Sequence, residues 1–175
     1  MKSILSILIL FLLISCKGGF KAGEKHGKWE EYHTNGEVSA VGKYDKGRRV
    51  GFWQDFHENG NIKIECNFVE GERNGEFKEF HENGQLKLNG FYIHGKEDGS
   101  WVGYHSNGEK SEIREYKDDK KVGKWIWYYE NGNKEKSGQY GGKKRIGKWE
   151  YFNMNGKKLK DEYYENGNKV DTKTF

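Results

Sequence analysis

Proline is absent from the 175 residues, and cysteine and methionine occur only twice each. Without proline no turn can be set by a locked ring, so turns fall to other residues, and 25 glycines are available for them. Two cysteines, Cys16 and Cys66, are too few for a disulfide-stapled scaffold. Hydrophobic residues make up only 33%, a level that points to weak burial or disorder unless the 15% aromatics supply large apolar surfaces at fixed positions. The charge is nearly balanced, 31 basic against 27 acidic residues, and a net +4 is too small to argue for nucleic acid. Gly-x-Ser-x-Gly, a phosphate-binding loop, a paired-cysteine zinc motif and His-Glu-x-x-His are all missing. The expectation is a non-enzymatic protein with no cofactor.

What the chain does contain is a period of 24. Gly27 returns as Gly51, Gly75, Gly99, Gly123 and Gly147, and Trp29 as Trp53, Phe77, Trp101, Trp125 and Trp149. Tyr32 returns as Phe56, Phe80, Tyr104, Tyr128 and Phe152, and Tyr44 as Phe68, Tyr92, Tyr116, Tyr140 and Tyr164. Asn35-Gly36 recurs in all six units without an insertion. A fixed period of this length marks an array whose core is shared between neighbouring units.

Each unit reads as a β-hairpin. Gly27 to His33 forms a first strand, Asn35-Gly36 is a strong hairpin-turn signal, Glu37 to Tyr44 forms a second strand, and Asp45-Lys46-Gly47 turns again. Frequent glycines, abundant aromatics and the lack of a sustained 3.6-residue apolar pattern argue against helix. The expected fold is all-β, an elongated antiparallel meander or solenoid of about six 24-residue hairpins. Two registers stay open. A two-residue loop puts Trp29 opposite Gly42, where the indole can lie over the bare glycine. A three-residue loop with a bulge puts Tyr32 on that face instead. The clean alternation of Ile62, Ile64, Cys66 and Phe68, and of Leu86, Leu88, Gly90 and Tyr92, favours the first in those units.

The skeleton Gly123, Trp125, Tyr128, Asn131, Gly132, Gly138, Tyr140 resembles the bacterial variant of the MORN repeat, and the resemblance runs from Phe20 to about Lys169. The fourth unit departs, with Arg114 for the strand glycine and Asp119 for the turn glycine. The resemblance implies an array of β-hairpins, and some such proteins are antitoxins. Separately, the apolar stretch from Ser3 to Ser15, ended by Leu13-Ile14-Ser15-Cys16, resembles a bacterial lipoprotein signal. It implies removal of residues 1–15, lipid on Cys16 and a membrane-anchored place in the cell envelope. The expected organisation is then 16–19 as lipidated N-terminus and spacer, 20–169 as the repeat array and 170–175 as a C-terminal tail.

The conspicuous constellations read mostly as structure. His33, His57, His81 and His105 repeat, but equivalent positions lie two strands apart, about 9–10 Å, too far to share one metal ion. They read as a solvated or turn-supporting ladder. Cys66 fills the place of Gly42, Gly90 and Gly138 and reads as a small half-buried strand residue. Units differ most at the fifth, where residues 122–145 carry six bases against two acids, a net +4, and Trp127 replaces Glu31, Asp55 and Glu79. Trp125, Trp127, Tyr129, Lys143, Lys144, Arg145, Lys148 and Tyr151 therefore form the candidate binding patch. Rigid aromatic area beside cations suits an acidic protein, a glycan or anionic lipid headgroups. The leading expectation is a lipid-anchored scaffold that binds a protein partner. An antitoxin or immunity-like protein, and a module for envelope glycan or phospholipid, are the alternatives.

Overall fold

The computed structural model describes residues 16–175, except for the Cys16 side chain; the expected signal peptide, residues 1–15, lies outside the described residues. They form two compact units, one ending at Gly84 and one beginning at Gln85. The first holds β1 (Cys16–Lys21), β2 (Glu24–Tyr32), β3 (Val38–Asp45), β4 (Arg48–Phe56), β5 (Ile62–Val69) and β6 (Glu72–Phe80). The second holds β7 (Leu86–Ile93), β8 (Lys96–Tyr104), β9 (Lys110–Lys117), β10 (Lys120–Tyr128), β11 (Lys134–Gly141), β12 (Lys144–Phe152), β13 (Lys158–Glu165) and β14 (Asn168–Thr174). Within each unit consecutive strands pair antiparallel in chain order. The all-β meander of hairpins is thus as expected, with fourteen strands rather than twelve.

The two registers open in the sequence turn out to be combined. Gly36 N donates to His33 O at 3.0 Å and His33 N to Glu37 O at 2.8 Å, closing a three-residue loop whose last residue, Gly36, has φ +88°. Glu31 then pairs with Ala40 while Tyr32 pairs with Val38, which leaves Ser39 as an extra bulged residue. The bulge restores the pairing of Trp29 with Gly42 that a two-residue loop gives. Both faces consequently carry aromatic rows, Trp29 on one and Tyr32 on the other. The opposite hairpin ends use two-residue loops, such as Lys46 and Gly47 with φ of 47° and 73°, the geometry of a type I′ turn.

One prediction about the glycines needs correction. Trp29 does not lie over Gly42. It lies over Gly18 on the preceding strand, as Trp53 lies over Gly42 and Trp149 over Gly138, and a Cβ at any of these glycines would fall inside the indole. For Trp29 and Trp53 the indole N–H fixes this placement by reaching a carbonyl of the preceding strand: Trp29 Nε1 donates to Gly19 O at 3.2 Å and Trp53 Nε1 to Lys43 O at 3.1 Å. A cation lies against the ring of four of the tryptophans. Lys25 lies 4.4 Å from the Trp29 centroid, Arg49 4.1 Å from Trp53, Lys121 4.7 Å from Trp125 and Arg145 4.3 Å from Trp149. Edge-on tyrosines fill the gaps between, with Tyr44 5.0 Å from Trp53 and Tyr140 5.1 Å from Trp149. This sandwich lets a sheet face bury tryptophan without a second layer, and Trp149 is 0% exposed. Where Cys66 replaces the glycine, the following ring is the smaller Phe77, and both are buried. Burial pushes the Cys66 thiol up to about 11.

The ends also differ from expectation. β1 starts at Cys16, so residues 16–19 are strand rather than spacer, with Gly18 serving as the first glycine platform. Residues 170–174 are strand β14 rather than tail. At that end Glu162 occupies the strand-glycine position, and Lys173 stands 24 residues after Trp149. The buried Glu162 carboxylate accepts from Lys160, Tyr151 and Tyr164, each at 2.8 Å. Charged side chains, Lys169, Asp171 and Lys173, line the exposed β14.

Candidate functional site

The eight residues of the expected patch do not form one surface. Trp125 is core, 3% exposed, with its indole N–H donating to Glu115 O at 3.2 Å and Val122 O at 3.1 Å. Tyr129 is a turn support. It occupies the 24-residue step after His105, and its hydroxyl donates to Phe152 O at 2.9 Å, just as Nε2 of His33, His57 and His105 bonds the carbonyls of Phe56, Phe80 and Tyr128 at 2.9–3.0 Å. Asn35, Asn59, Asn107 and Asn131 add a parallel rung by donating to the carbonyl 23 residues on. Lys143 and Lys144 are exposed at the turn between β11 and β12. Lys148 points to the face opposite Trp149, paired with Glu150 at 3.1 Å. Only Trp127, Arg145 and Tyr151 share the tryptophan face as half-buried groups.

Strand register turns Trp127 and Tyr151 into parts of a row. Trp127 pairs with Lys136, Lys136 with Tyr151, and Tyr151 with Lys160, so four adjacent strands present aromatic, lysine, aromatic, lysine side by side. Lys136 Nζ lies 4.9 Å from the Trp127 ring and Lys160 Nζ 4.7 Å from the Tyr151 ring. The Trp127 ring in turn sits 5.7 Å from Trp125 and 5.8 Å from Trp149, bridging two core indoles. Glu112, held by Arg114 at 2.8 Å, is the neighbour of Trp127 on its other side and bounds the row. Sequence reasoning missed Lys136 and Lys160. The signal was present, because they stand at the 24-residue steps from Ala40, Ile64 and Leu88.

In the first compact unit the same row reads Glu31, Ala40, Asp55, Ile64, Glu79, acid alternating with aliphatic. There the carboxylates neutralise the cations that cap the indoles: Lys25 to Glu31 at 3.2 Å, Arg49 to Glu31 at 3.6 Å and Arg49 to Asp55 at 3.6 Å. Burial of Asp55 raises its carboxyl above the usual range despite Arg49. In the second unit Lys121 lies 4.7 Å from the Trp125 centroid with no carboxylate in ion-pair contact among the described residues, and Arg145 bonds the hydroxyls of Tyr151 and Tyr164 at 3.1 and 3.0 Å. Lysine to carboxylate bonds persist along the unit, with Lys136 on Glu135 at 3.1 Å and Lys148 on Glu150 at 3.1 Å, and toward the edge the hydrogen bond from Lys160 holds Glu162 down to about 2. The row thus offers ammonium groups with apolar rings between them, a chemistry suited to holding an anionic, partly apolar ligand.

A chain of this construction is a β-hairpin repeat protein. Residues 25–46, 49–70, 73–94 and 121–140 match the family model described as MORN repeat variant. The matches skip the fourth unit, where Arg114 and Asp119 displace the two glycines, and the sixth, where Glu162 takes the strand-glycine place. No curated protein matches the chain. Among solved structures the chain is similar to one titled "Crystal Structure of TarM", at 13% identity and a TM-score of 0.35, covering 65% of this chain and 22% of that one. It is also similar to the "GtfA/B complex bound to UDP and GlcNAc", at 13% identity and a TM-score of 0.28, covering 66% and 22%. The chain spans less than a quarter of the length of either.

Proposed function

We propose that this chain is a non-enzymatic scaffold of a bacterial cell envelope, anchored by lipid on Cys16, that binds a protein partner across the tryptophan face of residues 112–160. The observation that carries the reading is the row itself. Trp125 and Trp149 keep the shared core, while the positions beside them change from paired acids to half-buried rings and lysines. Such a change adds ring contacts to Trp125 and Trp149, and it also creates half-buried contact area of the kind that dominates protein interfaces. The anchor is supported by Leu13-Ile14-Ser15-Cys16; with Cys16 itself part of β1, a lipid there would hold the array close to a bilayer.

The test is capture of a partner from membranes of the producing cell by the full chain, with Cys16→Ala and Trp127→Ser/Lys136→Ser as controls. We expect one protein that co-purifies with the wild type and is lost with the double variant, and a chain that leaves the membrane fraction with Cys16→Ala. Capture that is indifferent to the double variant would remove the surface from the proposal. A protein that stays lipid-free with Cys16 intact would remove the anchor. A captured toxin would assign neutralisation as the scaffold's role, and binding to murein or liposomes in place of protein would replace the partner class.

A further inference from the structure

The row constrains the partner further, and this step rests on the protein-binding reading above. Lys136 and Lys160 lie on β11 and β13, two strands apart, which places their backbone positions about 9–10 Å from one another. The Tyr151 ring lies between them and the Trp127 ring beyond Lys136. Each lysine already holds one carboxylate, Lys136 to Glu135 at 3.1 Å and Lys160 to Glu162 at 2.8 Å. An ammonium has three donors, so each retains capacity for another acid. The first unit shows what the chain itself puts on this face to balance its cations, namely Glu31 and Asp55. In the second unit those positions are Trp127 and Tyr151, so the row itself supplies no acids between its lysines.

We infer that the partner supplies them, as an acidic segment in the polyproline II conformation with carboxylates three residues apart. The spacing selects that backbone. Polyproline II rises about 3.1 Å per residue with three residues per turn, so side chains at i and i+3 share one side about 9 Å apart. An extended strand puts same-side neighbours about 6.8 Å apart at i and i+2, and a helix puts them about 6 Å apart at i and i+4. The residues between the acids, prolines by preference, lie on the faces of Trp127 and Tyr151, the way aromatic surfaces receive such segments. Glu112, fixed by Arg114 beside Trp127, repels acid there and sets the direction in which the charged end of the segment runs toward Lys160.

The experiment is fluorescence anisotropy of labelled peptides with the full chain held in an uncharged detergent. The probes are Glu-Pro-Pro-Glu-Pro-Pro-Glu, a version with acids at every second residue, and a version with lysine for glutamate. The expected result is binding of the first at least about tenfold tighter than either control, weakened by salt. Lys136→Gln should abolish this preference while leaving the thermal transition in place, whereas Lys160→Gln should abolish it with a lowered transition, because it also takes a partner from the buried Glu162 carboxylate. Trp127→Glu, which installs the residue type of Glu31, keeps the folded pattern of the first unit and should also lose the peptide. Equal binding of all three peptides, retention by either glutamine variant, or equal binding of anionic vesicles or a sulfated glycan would overturn the inference. Partner capture from membranes that survives while the peptide preference fails would leave the scaffold reading standing and reject only this segment. Loss of both would reject the two together.

Discussion

The row Glu31, Ala40, Asp55, Ile64 and the row Trp127, Lys136, Tyr151, Lys160 occupy the same place on the same scaffold. The first is self-sufficient: its acids satisfy the cations that cap Trp29 and Trp53. The second leaves Lys121 without an ion pair among the described residues and puts rings where acids were. What the difference teaches is that the sandwich of glycine, indole and cation carries the fold, and that the row beside it is free to vary. A repeat protein separates the two jobs by position within the unit.

The sharpest check is that the core should not distinguish the two regions. Trp53→Ala and Trp149→Ala each remove an indole exposed by 1% or less, and each should cost about 3–5 kcal/mol in its own region. Hydrogen exchange on each variant reads this locally, because hairpins depend mainly on their neighbours. Gly138→Val should follow closely, since its side chain would enter the Trp149 ring. A Trp149→Ala protein that kept full protection in β11 to β13 would break the claim of a common core.

Acid should separate the regions next. Glu162 and Glu150 are both held down to about 2, by hydrogen bonds from Lys160 and Lys158, against ordinary values of 4.5. A folded value below the unfolded one gives stability that is complete above pH 4.5 and lost as pH falls from there through 2. Asp55 has the opposite sign. Burial raises its carboxyl, so its penalty at neutral pH is relieved as pH falls through the raised value. Amides of β12 to β14 should lose protection between pH 4.5 and 2 while those of β3 to β5 hold. Simultaneous loss in both, or none in β12 to β14, would contradict the assignment.

A smaller effect tests the row directly. Trp127→Glu removes ring contacts with Trp125 and Trp149, each worth about 0.5–1.5 kcal/mol, and places a carboxylate near Lys121 and Lys136. The net cost should be about 1–2 kcal/mol in urea titration, with the fold retained. A loss as large as that of Trp149→Ala would mean that Trp127 is core, and the comparison between the rows would collapse.

The period, the strands, the turns and the tryptophan–glycine pairing were legible because each is carried by spacing and residue type. Two things were not. Ser39 is an ordinary strand residue in sequence, yet as the bulge it decides that a three-residue loop and a Trp29–Gly42 pairing coexist. The row was hidden for the same reason, since joining Trp127 to Lys136 requires the extra residue Glu135 between Lys134 and Lys136. Tyr129 was misjudged for a different cause. Its chemistry drew it into an aromatic patch, while its position, 24 after His105, already marked it as a turn support.

That reassignment carries the smallest and most discriminating prediction. Tyr129→Phe keeps the ring and deletes only the hydroxyl that donates to Phe152 O at 2.9 Å, so it should cost about 0.5–1.5 kcal/mol, one hydrogen bond. His57→Ala in the first region removes the matching bond to Phe80 O at 3.0 Å and should cost a comparable amount plus the packing of the ring. Tyr129→His should recover most of the loss, because an imidazole already does this work at three equivalent turns. Partner capture should be unchanged in both Tyr129 variants. If Tyr129→Phe released the partner with no change in stability, the residue would belong to the binding surface after all. The boundary between turn support and row would then have to be drawn one position further along β10.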